Sequence, residues 1–504
     1  MPTFLNRSSN LQAILLVLSG LAPSAFATLG SEGSEGSEGG DIEVEIAEIE
    51  GESTQTPPAR ATRMGSDRDG FDSPIEGVLQ AAAQNGPQRA IAELVEEICP
   101  AGISRGVIRT QDLQDRCTDV VRAVQALDAT NSRSGPTTQA LEAVQDLAAE
   151  EVNAIGSTEV DSSSGQMDAI GSRLATLRAG GPRVAIATPG FDGSKVAAAS
   201  TKGWLTGGGA GDEMARKLGF FVNGNYVYND KDATSNESGF QADAYGVTAG
   251  LDYQITDPLL VGAAFTYTTS DTDIALNGGN METDTYGGFG YATLAFGGNW
   301  YLDGMVGYTQ NNHDQTRNLN YTVLGVALNQ TALSELDSRE VAGSVKIGFD
   351  NTMGAWVVSP YARVDVADVE IDGYSERMSN LTAVGSGVAL QIDDQSYTSL
   401  MSAFGAQLGY VSVQSWGTWY PQVVAEYVHE FDNDAKNITG RFVNAPTFSF
   451  SMPIDNPDRN FGNIGVTSSF LFNGGVSAFA SFQTLVGYED LTTHAVEFGV
   501  RIPF

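Results

Sequence analysis

The chain beyond residue 217 alternates between apolar and polar residues. Val247 and Leu251, for example, fall on one face of an extended chain, whereas Thr248 and Asp252 fall on the other. Alternating segments of about ten residues are the signature of a transmembrane β-barrel. The pattern predicts twelve antiparallel strands, at about residues 218–228, 240–255, 258–269, 284–296, 299–309, 338–350, 355–368, 395–412, 418–431, 460–472, 475–488 and 492–504.

The connections between these segments alternate in length. Those after segments 2, 4, 6, 8 and 10 span a few residues, whereas those after segments 1, 3, 5, 7 and 9 span from about ten to nearly thirty. A tight connection at residues 488–492 is the exception. Outer-membrane barrels have short periplasmic turns and long outer loops, so the pattern favours such a barrel. Because lipid does not tolerate an open sheet edge, the first and last segments are expected to pair.

The tryptophans support one membrane interface. Four of the five lie beside the short connections: Trp300, Trp356, Trp416 and Trp419. Interfacial tryptophans anchor proteins at headgroup depth, so these four predict the membrane face at the short turns. The alternative is that they are ordinary aromatic residues of strand ends.

The closing segment, "HAVEFGVRIPF", has one apolar row and one polar row. The apolar row, which we expect to face lipid, consists of Val496, Phe498, Val500, Ile502 and Phe504. Glu497, Gly499 and Arg501 form the other row and are expected to face the lumen. The charged residues that we expect to line a polar lumen are Asp252, Lys346, Arg363, Asp365, Glu426, Glu497 and Arg501.

Residues 76–180 have helical periodicity and predict a small helical module. One face of its second helix contains Leu113, Cys117, Val120, Val121, Val124 and Leu127, and Thr110 can cap the start of that helix. A last helix is expected near Gln166–Arg178. In an exported chain Cys99 and Cys117 meet an oxidising compartment, so the two predict one disulfide. Two buried free thiols are the alternative.

The N-terminus predicts export. Residues 1–27 have an arginine, a short apolar core and the Ala25-Phe26-Ala27 pattern of a cleaved signal peptide, with cleavage expected after Ala27. Residues 28–75 are an acidic low-complexity linker, and residues 181–217 are a Gly-rich linker that could fill a pore. Beyond the signal, no apolar stretch is long enough to predict a transmembrane helix.

Charge and composition exclude several functions. A net charge of -35 argues against nucleic-acid binding, which requires clustered Lys and Arg. The three histidines, His313, His429 and His494, all lie in the barrel segment, so the exported N-terminal part has no histidine for a catalytic or zinc site. A His313-Asp314 pair in a predicted outer loop could act in acid–base catalysis, although a solvated loop is favoured.

No cofactor or metal is expected. The loops "NDKDATSNES" and "FDNDAKN" carry oxygen ligands of the kind that calcium prefers, but neither has the EF-hand spacing. We therefore favour solvated acidic loops over calcium sites.

Several pieces of the sequence, in this order and spacing, resemble one known family. They include "LGFFVNGNYVYNDKDAT", "YGVTAGLDYQITDPLLVGAAFTYTTSD", "WYPQVVAEYVHEF", "RFVNAPTFSFSMPIDNPDRN" and "VEFGVRIPF". From about residue 203 to residue 504 the chain resembles the C-terminal translocator domain of classical monomeric autotransporters, the type V secretion family.

This resemblance implies a 12-stranded outer-membrane β-barrel, a helical linker inside its pore and an N-terminal passenger outside the cell. It also implies an assembly signal, read by the outer-membrane barrel assembly machinery, at Glu497, Gly499, Ile502 and Phe504. The passenger departs from the family's common long β-helix, because it is short, helical and free of such repeats.

Three functional hypotheses follow. The first is a monomeric, non-enzymatic autotransporter in the outer membrane of a Gram-negative bacterium that displays its helical module at the cell surface, with adhesion or binding as the candidate role. The second is a plugged pore or structural barrel whose module stays in the periplasm. The third is a hydrolase at the barrel rim that uses His313.

Overall fold

The computed structural model of the 504-residue chain describes residues 77–128, 136–148, 217–256, 258–275, 278–432, 436–473 and 475–503. Several sequence predictions lie outside these residues. They are the cleavage site at Ala25 and Ala27, the linker at 28–75, the helix at Gln166–Arg178, the linker at 181–217 except its last residue, and Phe504.

Twelve antiparallel strands form the barrel, which confirms the predicted fold class. Each strand pairs with its neighbours in the sequence, and the last pairs with the first from Gly219–Pro503 to Lys231–Leu491. This pairing closes the sheet, as expected for a wall surrounded by lipid. The strands are β1 Leu218–Lys231, β2 Phe240–Thr256, β3 Leu259–Ile274, β4 Gly279–Phe296, β5 Trp300–Val323, β6 Val326–Phe349, β7 Trp356–Ile371, β8 Gln395–Tyr410, β9 Gly417–Glu430, β10 Asn460–Phe472, β11 Ser477–Val486 and β12 Leu491–Pro503.

The period-two pattern of β12 separates its two faces. Phe498 is 62% exposed and Ile502 is 49% exposed, whereas Glu497, on the other row, is 6% exposed. Glu497 accepts a hydrogen bond from the Asn223 side chain of β1 at 3.2 Å, inside the closed sheet. The predicted division into an exposed apolar row and an inward row is therefore confirmed for the described residues of this strand.

The predicted inward charges pair with one another. Arg501 contacts Asp252 at 2.7 Å, and Arg363 contacts Glu426 at 2.7 Å and Asp365 at 2.9 Å. Lys346 lies 4.8 Å above the Tyr361 ring in a cation–π contact. Because a buried charge requires a partner, these contacts explain how the wall tolerates charges on its inner face.

The two ends of the barrel carry different aromatic residues. The four predicted tryptophans lie at the short-turn end and are 38–49% exposed, with Trp300 against Phe349 and Trp356 against Tyr410. Toward the other end, the stacked pairs Tyr226–Tyr245 and Tyr267–Tyr286 face outward, with ring centroids 5.0 and 5.2 Å apart. Aromatic girdles at both interfaces are typical of outer-membrane barrels.

Strands β5 and β6 are longer than the sequence pattern predicts. Residues 310–337 were expected to form a long loop, but both strands run for 24 residues and form a hairpin through this stretch. Their turn places Leu324 at a φ of 51° and Gly325 at a φ of 82°. Two successive positive φ values match the tight hairpin turn whose twist suits paired strands.

Four described helices precede the barrel: α1 Val78–Ala82, α2 Gly86–Arg105, α3 Gln111–Asp128 and α4 Pro136–Leu147. Helix α2 continues through Pro100 to Arg105 and stops before Gly106, at a φ of 66°. Thr110 precedes α3 as expected, but its hydroxyl makes no hydrogen bond. No described helix is both long and apolar enough to cross a membrane.

A disulfide joins α2 to α3 through Cys99 and Cys117, both of which are 3% exposed. This observation agrees with the predicted bridge and not with two free thiols.

Beyond the barrel, a second sheet is built from loop segments at the long-loop end. Its strands are Phe450–Pro453, Asn437–Phe442, Leu390–Ile392 and Tyr374–Ser375.

Candidate functional site at the long-loop end

The helical module, defined here as residues 77–148, packs against the long-loop end of the barrel. One continuous hydrophobic core contains 19 buried residues of the module and 20 buried residues of the barrel strands and loops. Leu94, Val120 and Val144 belong to it from the helices, and Tyr321 and Leu390 belong to it from the barrel side. Because the two contributions are nearly equal, the module is part of a joint structure and not a separate domain.

Backbone hydrogen bonds join the module to two long loops. The N–H of Gly86 donates to the carbonyl of Ser235 at 2.7 Å, in the loop between β1 and β2. The N–H of Arg109 donates to the carbonyl of Asn444 at 2.8 Å, in the loop between β9 and β10. A Cβ atom on Gly86 would lie 2.9 Å from Pro453, so the approach is too close for a larger residue.

Asp112, in the first turn of α3, binds the loop between β7 and β8. Its carboxylate accepts hydrogen bonds from the N–H groups of Gly385 at 3.1 Å and Gly387 at 2.8 Å. Gly385 adopts a φ of 90°, which residues other than glycine rarely adopt. The two glycines thus form a backbone cradle for the carboxylate.

Arg317 of β5 connects three elements at the base of the module. It is 1% exposed, and its guanidinium forms two hydrogen bonds with Glu376, at 2.6 and 2.7 Å. A third hydrogen bond runs from Nη1 to the carbonyl of Asp146 at 2.9 Å, near the end of α4. A cation at a helix C-terminus is favourable, and the paired carboxylate compensates its burial. Glu376 also accepts a hydrogen bond from the N–H of Leu390 at 2.7 Å.

Helix α4 lies along β5. The N–H of Asn320 donates to the Asp146 carboxylate at 2.6 Å, and the N–H of Leu324 donates to the Gln139 side chain at 3.0 Å. Gln139 and Asp146 are seven residues apart, which places them on one face of the helix. Burial raises the pKa of Asp146 above its usual range, against the lowering effects of the Asn320 N–H and of Arg317.

In the loop "NDKDATSNES", whose oxygen ligands resemble those of calcium sites, a lysine pairs with acidic groups. Lys231 contacts Glu237 at 3.2 Å and Asp455 at 3.5 Å, and Thr234 also donates to Asp455 at 2.6 Å. Burial raises the pKa of Glu237, and the Lys231 charge opposes this effect. The described residues contain no group of acidic, His and Cys ligands suited to a metal ion. The second loop is only partly described.

A family match assigns the barrel. The sequence model of the family described as "Autotransporter beta-domain" matches residues 220–483, more than half of the chain. The chain belongs to the autotransporter family. The resemblance noted from the sequence is therefore confirmed, and the autotransporter is an outer-membrane protein of a Gram-negative bacterium.

Several known proteins are similar to this autotransporter. The protein named "Esterase EstA" of Pseudomonas aeruginosa is 22% identical over 289 residues, which cover 56% of this chain and 42% of EstA. "Outer membrane protein B" of Rickettsia japonica is 24% identical over 369 residues, which cover 70% of this chain and 20% of the relative. The chain thus spans less than half the length of these relatives.

The solved structures of similar fold have lower sequence identity. The translocator domain of the autotransporter NalP from Neisseria meningitidis is 13% identical with a TM-score of 0.46, covering 68% of this chain and 98% of that one. The β domain of the Bordetella autotransporter BrkA is 14% identical with a TM-score of 0.40, covering 57% and 100%.

The proposed rim pair at His313 is wrong. His313 does not lie in a loop but within β5 of the autotransporter, 2% exposed, while Asp314 points to the opposite, exposed face. The His313 ring contacts Thr283 at 2.9 Å through Nδ1 and Ser338 at 3.0 Å through Nε2. A buried histidine between two hydroxyls has a structural explanation, and its neighbouring aspartate cannot orient it.

The other predicted site residues are dispersed over the autotransporter. The disulfide lies in the module, the tryptophans lie at the opposite end, and the described residues of the expected assembly signal are the inward Glu497 and Gly499 and the outward Ile502. Sequence reasoning missed the contacts that join module and barrel. Asp112, Arg317 and Glu376 look like ordinary loop and helix charges, and no spacing in the sequence distinguishes them.

Proposed function

We propose that this autotransporter carries its own helical module across the outer membrane and retains it, docked, over the outer opening of its barrel. One observation carries the proposal: the module packs on the long-loop end, whereas β1 begins and β12 ends at the short-turn end. Because outer-membrane barrels turn their long loops outward, this arrangement supports a surface position. It argues against the alternative of a periplasmic module.

The chain connectivity supports a route through the barrel. Residues 149–216 join Ala148, at the long-loop end, to Lys217, at the short-turn end. Even if fully helical, 68 residues would reach about 100 Å, more than the roughly 40–45 Å of a bilayer. Because a polar backbone outside the wall would be unsatisfied in lipid, we propose that the 181–217 linker, the predicted pore segment, passes through the lumen.

In the proposed final state, the barrel opening is closed by the module that is displayed over it. The module covers the opening that its own passage would require, so translocation and closure become successive uses of one pore. The adhesion or binding role of the module, its lack of enzymatic activity, the monomeric state and the domain bounds at 27, 75, 180 and 217 stay predictions.

Cysteine labelling in intact cells tests the position of the module. Glu93 is exposed on α2, and Met353, in a short turn, is 55% exposed. We expect an impermeant maleimide to label a Glu93→Cys variant in intact cells and a Met353→Cys variant only after lysis. The native pair does not interfere because Cys99 and Cys117 are bonded and buried. Labelling of position 353 but not of position 93 in intact cells would reverse the proposed orientation.

We also propose that the barrel assembly machinery reads the closing strand through Glu497, Gly499, Ile502 and Phe504. Supporting this, Val500 and Ile502 continue the lipid-facing row toward Phe504. A Phe504→Asp variant should give less heat-modifiable protein in the outer membrane. The control is Ile255→Asp, which changes an outward apolar residue, 44% exposed, on β2. Equal losses in the two variants would indicate a general effect of charge in lipid and not a signal.

A further inference from the structure

We propose that the module stays folded only while it is docked on the outer edge of the β5–β6 hairpin, and that α4 is the segment bound there. The outer edge is the side of β5 that lies beyond its last pair with β4. The proposal rests on the surface position proposed above. Strand β5 continues past its last pair with β4, Gly279–Arg317, and ends at Val323. Within the described chain no strand pairs with that side of β5 beyond Arg317, and an uncovered edge invites aggregation.

Helix α4 supplies the acceptors that a neighbouring strand would supply. The N–H of Asn318 still donates to the carbonyl of Gly278 at 3.1 Å, but those of Asn320 and Leu324 donate to side chains of α4. The distance from Asn320 to Leu324 along the strand is about 13 Å. The rise between Asp146 and Gln139 on the helix is about 10 Å, so the two spacings match closely enough for both bonds.

Arg317 binds the end of α4 at the point where β5 stops pairing with β4. Arg317 and Glu376 are both buried, so removing either side chain leaves the charge of the other without compensation. A comparable pair joins the same hairpin to β7 without being buried. Arg339 contacts Glu370 at 2.6 Å, with side-chain exposures of 55% and 38%. Exposed pairs of this kind contribute little to stability.

The module depends on this surface because it brings only half of its core. Of the 39 buried apolar residues in the joint core, 19 belong to the module. A chain of this length is marginal as an independent domain even when its whole core is its own. We therefore expect an undocked module to lose its helices rather than to persist as a folded unit on a tether.

Protease added to intact cells expressing the full-length protein tests this dependence from the helix side. The Gln139→Ala/Asp146→Ala variant removes both acceptors and changes no barrel residue. We expect cleavage within residues 77–148 to accelerate at least about tenfold, because cleavage follows the population of the open state. The matched control is Gln125→Ala/Glu97→Ala, which removes one exposed glutamine and one exposed acid from the module. It should cleave at the wild-type rate.

The barrel side has its own pair of variants. Arg317→Met should accelerate cleavage in the same way, and Arg339→Met, which removes the same charge from an exposed pair, should not. If the Gln139→Ala/Asp146→Ala protein is as resistant as wild type while its barrel is heat-modifiable, the proposal is overturned. Labelling at Glu93→Cys in each background separates this result from a failure of the proposed function, because a module that never reaches the surface is labelled in none of them.

Discussion

At the scale of single residues, Asp146 links docking to pH. Burial raises its pKa above the usual 3.8, with the Asn320 N–H and Arg317 acting in the opposite direction. The docked state therefore holds the proton more tightly than the undocked state. The stability that protonated Asp146 contributes to docking is fully present below about pH 4 and is lost as the pH rises through the raised pKa.

An Asp146→Asn variant should remove this dependence. The amide oxygen still accepts the Asn320 hydrogen bond, but it carries no charge that burial disfavours. We expect thermal unfolding of the module to match wild type near about pH 4 and to occur at a higher temperature than wild type at neutral pH. Glu97→Gln, an exposed acid on α2, is the control. A difference between Asp146→Asn and wild type that is constant with pH would contradict this account.

Gly387 marks the closest approach between loop and helix. A Cβ atom there would lie 2.8 Å from Thr110 Oγ1 and 2.9 Å from the Leu113 nitrogen. A Gly387→Ala variant should therefore separate the loop from α3 and destabilise docking by about 1–3 kcal/mol, measured by thermal unfolding of the module. Gly290→Ala serves as the control because no heavy atom lies within 4 Å of its Cβ position. Equal stability of both variants would show that the loop adjusts without cost.

At the scale of elements, the sequence predicts a strand wherever one face meets lipid. The apolar row of β12 and the tryptophans of the short turns are signals of this kind, and the structure places them accordingly. The outer half of the hairpin has no lipid on its outward face, so Asn312 and Asp314 interrupt the pattern although the strand continues. Its inward Leu319 and Tyr321 meet helices, whose position no local pattern specifies.

The docking contacts were not predictable for a similar reason. An amphipathic helix shows that it has an apolar face but not which surface that face will meet. The contacts of Asp112 with Gly385 and Gly387 connect residues more than 270 positions apart. Such pairs become visible only when the barrel brings its loops together.

The disulfide is expected to stabilise α2 and α3, because it encloses residues that bind the barrel loops. Cys99 and Cys117 enclose Arg109 and Asp112, which bind two different loops. Replacing both cysteines with alanine should destabilise the module by about 3 kcal/mol, a typical value for a loop of this length. Protease resistance of the module should decrease, whereas the heat-modifiable mobility of the barrel should not change. Loss of both properties together would indicate that barrel closure also depends on the bridge.

At the scale of the whole molecule, dependence runs in one direction. The β1–β12 pairing closes the barrel along thirteen residues without any contribution from the helices. Deleting residues 77–148 should therefore leave a heat-modifiable barrel in the outer membrane. The loop at residues 374–392 should become sensitive to protease, since Leu390 and Tyr374 would lose the helical half of their core. A deletion variant that fails to assemble would show that the module also assists insertion.

The joint core also bears on how such a protein can diversify. In a gene built from separable units, recombination at a linker exchanges one passenger for another. Here half of the core on which the module packs is encoded more than 130 residues downstream, in hairpin and loop segments from Met281 to Met452. An exchanged passenger would meet a surface shaped for a different one. We therefore expect substitutions in the helices and in these loops to be inherited together, so that the two parts of the gene evolve as one.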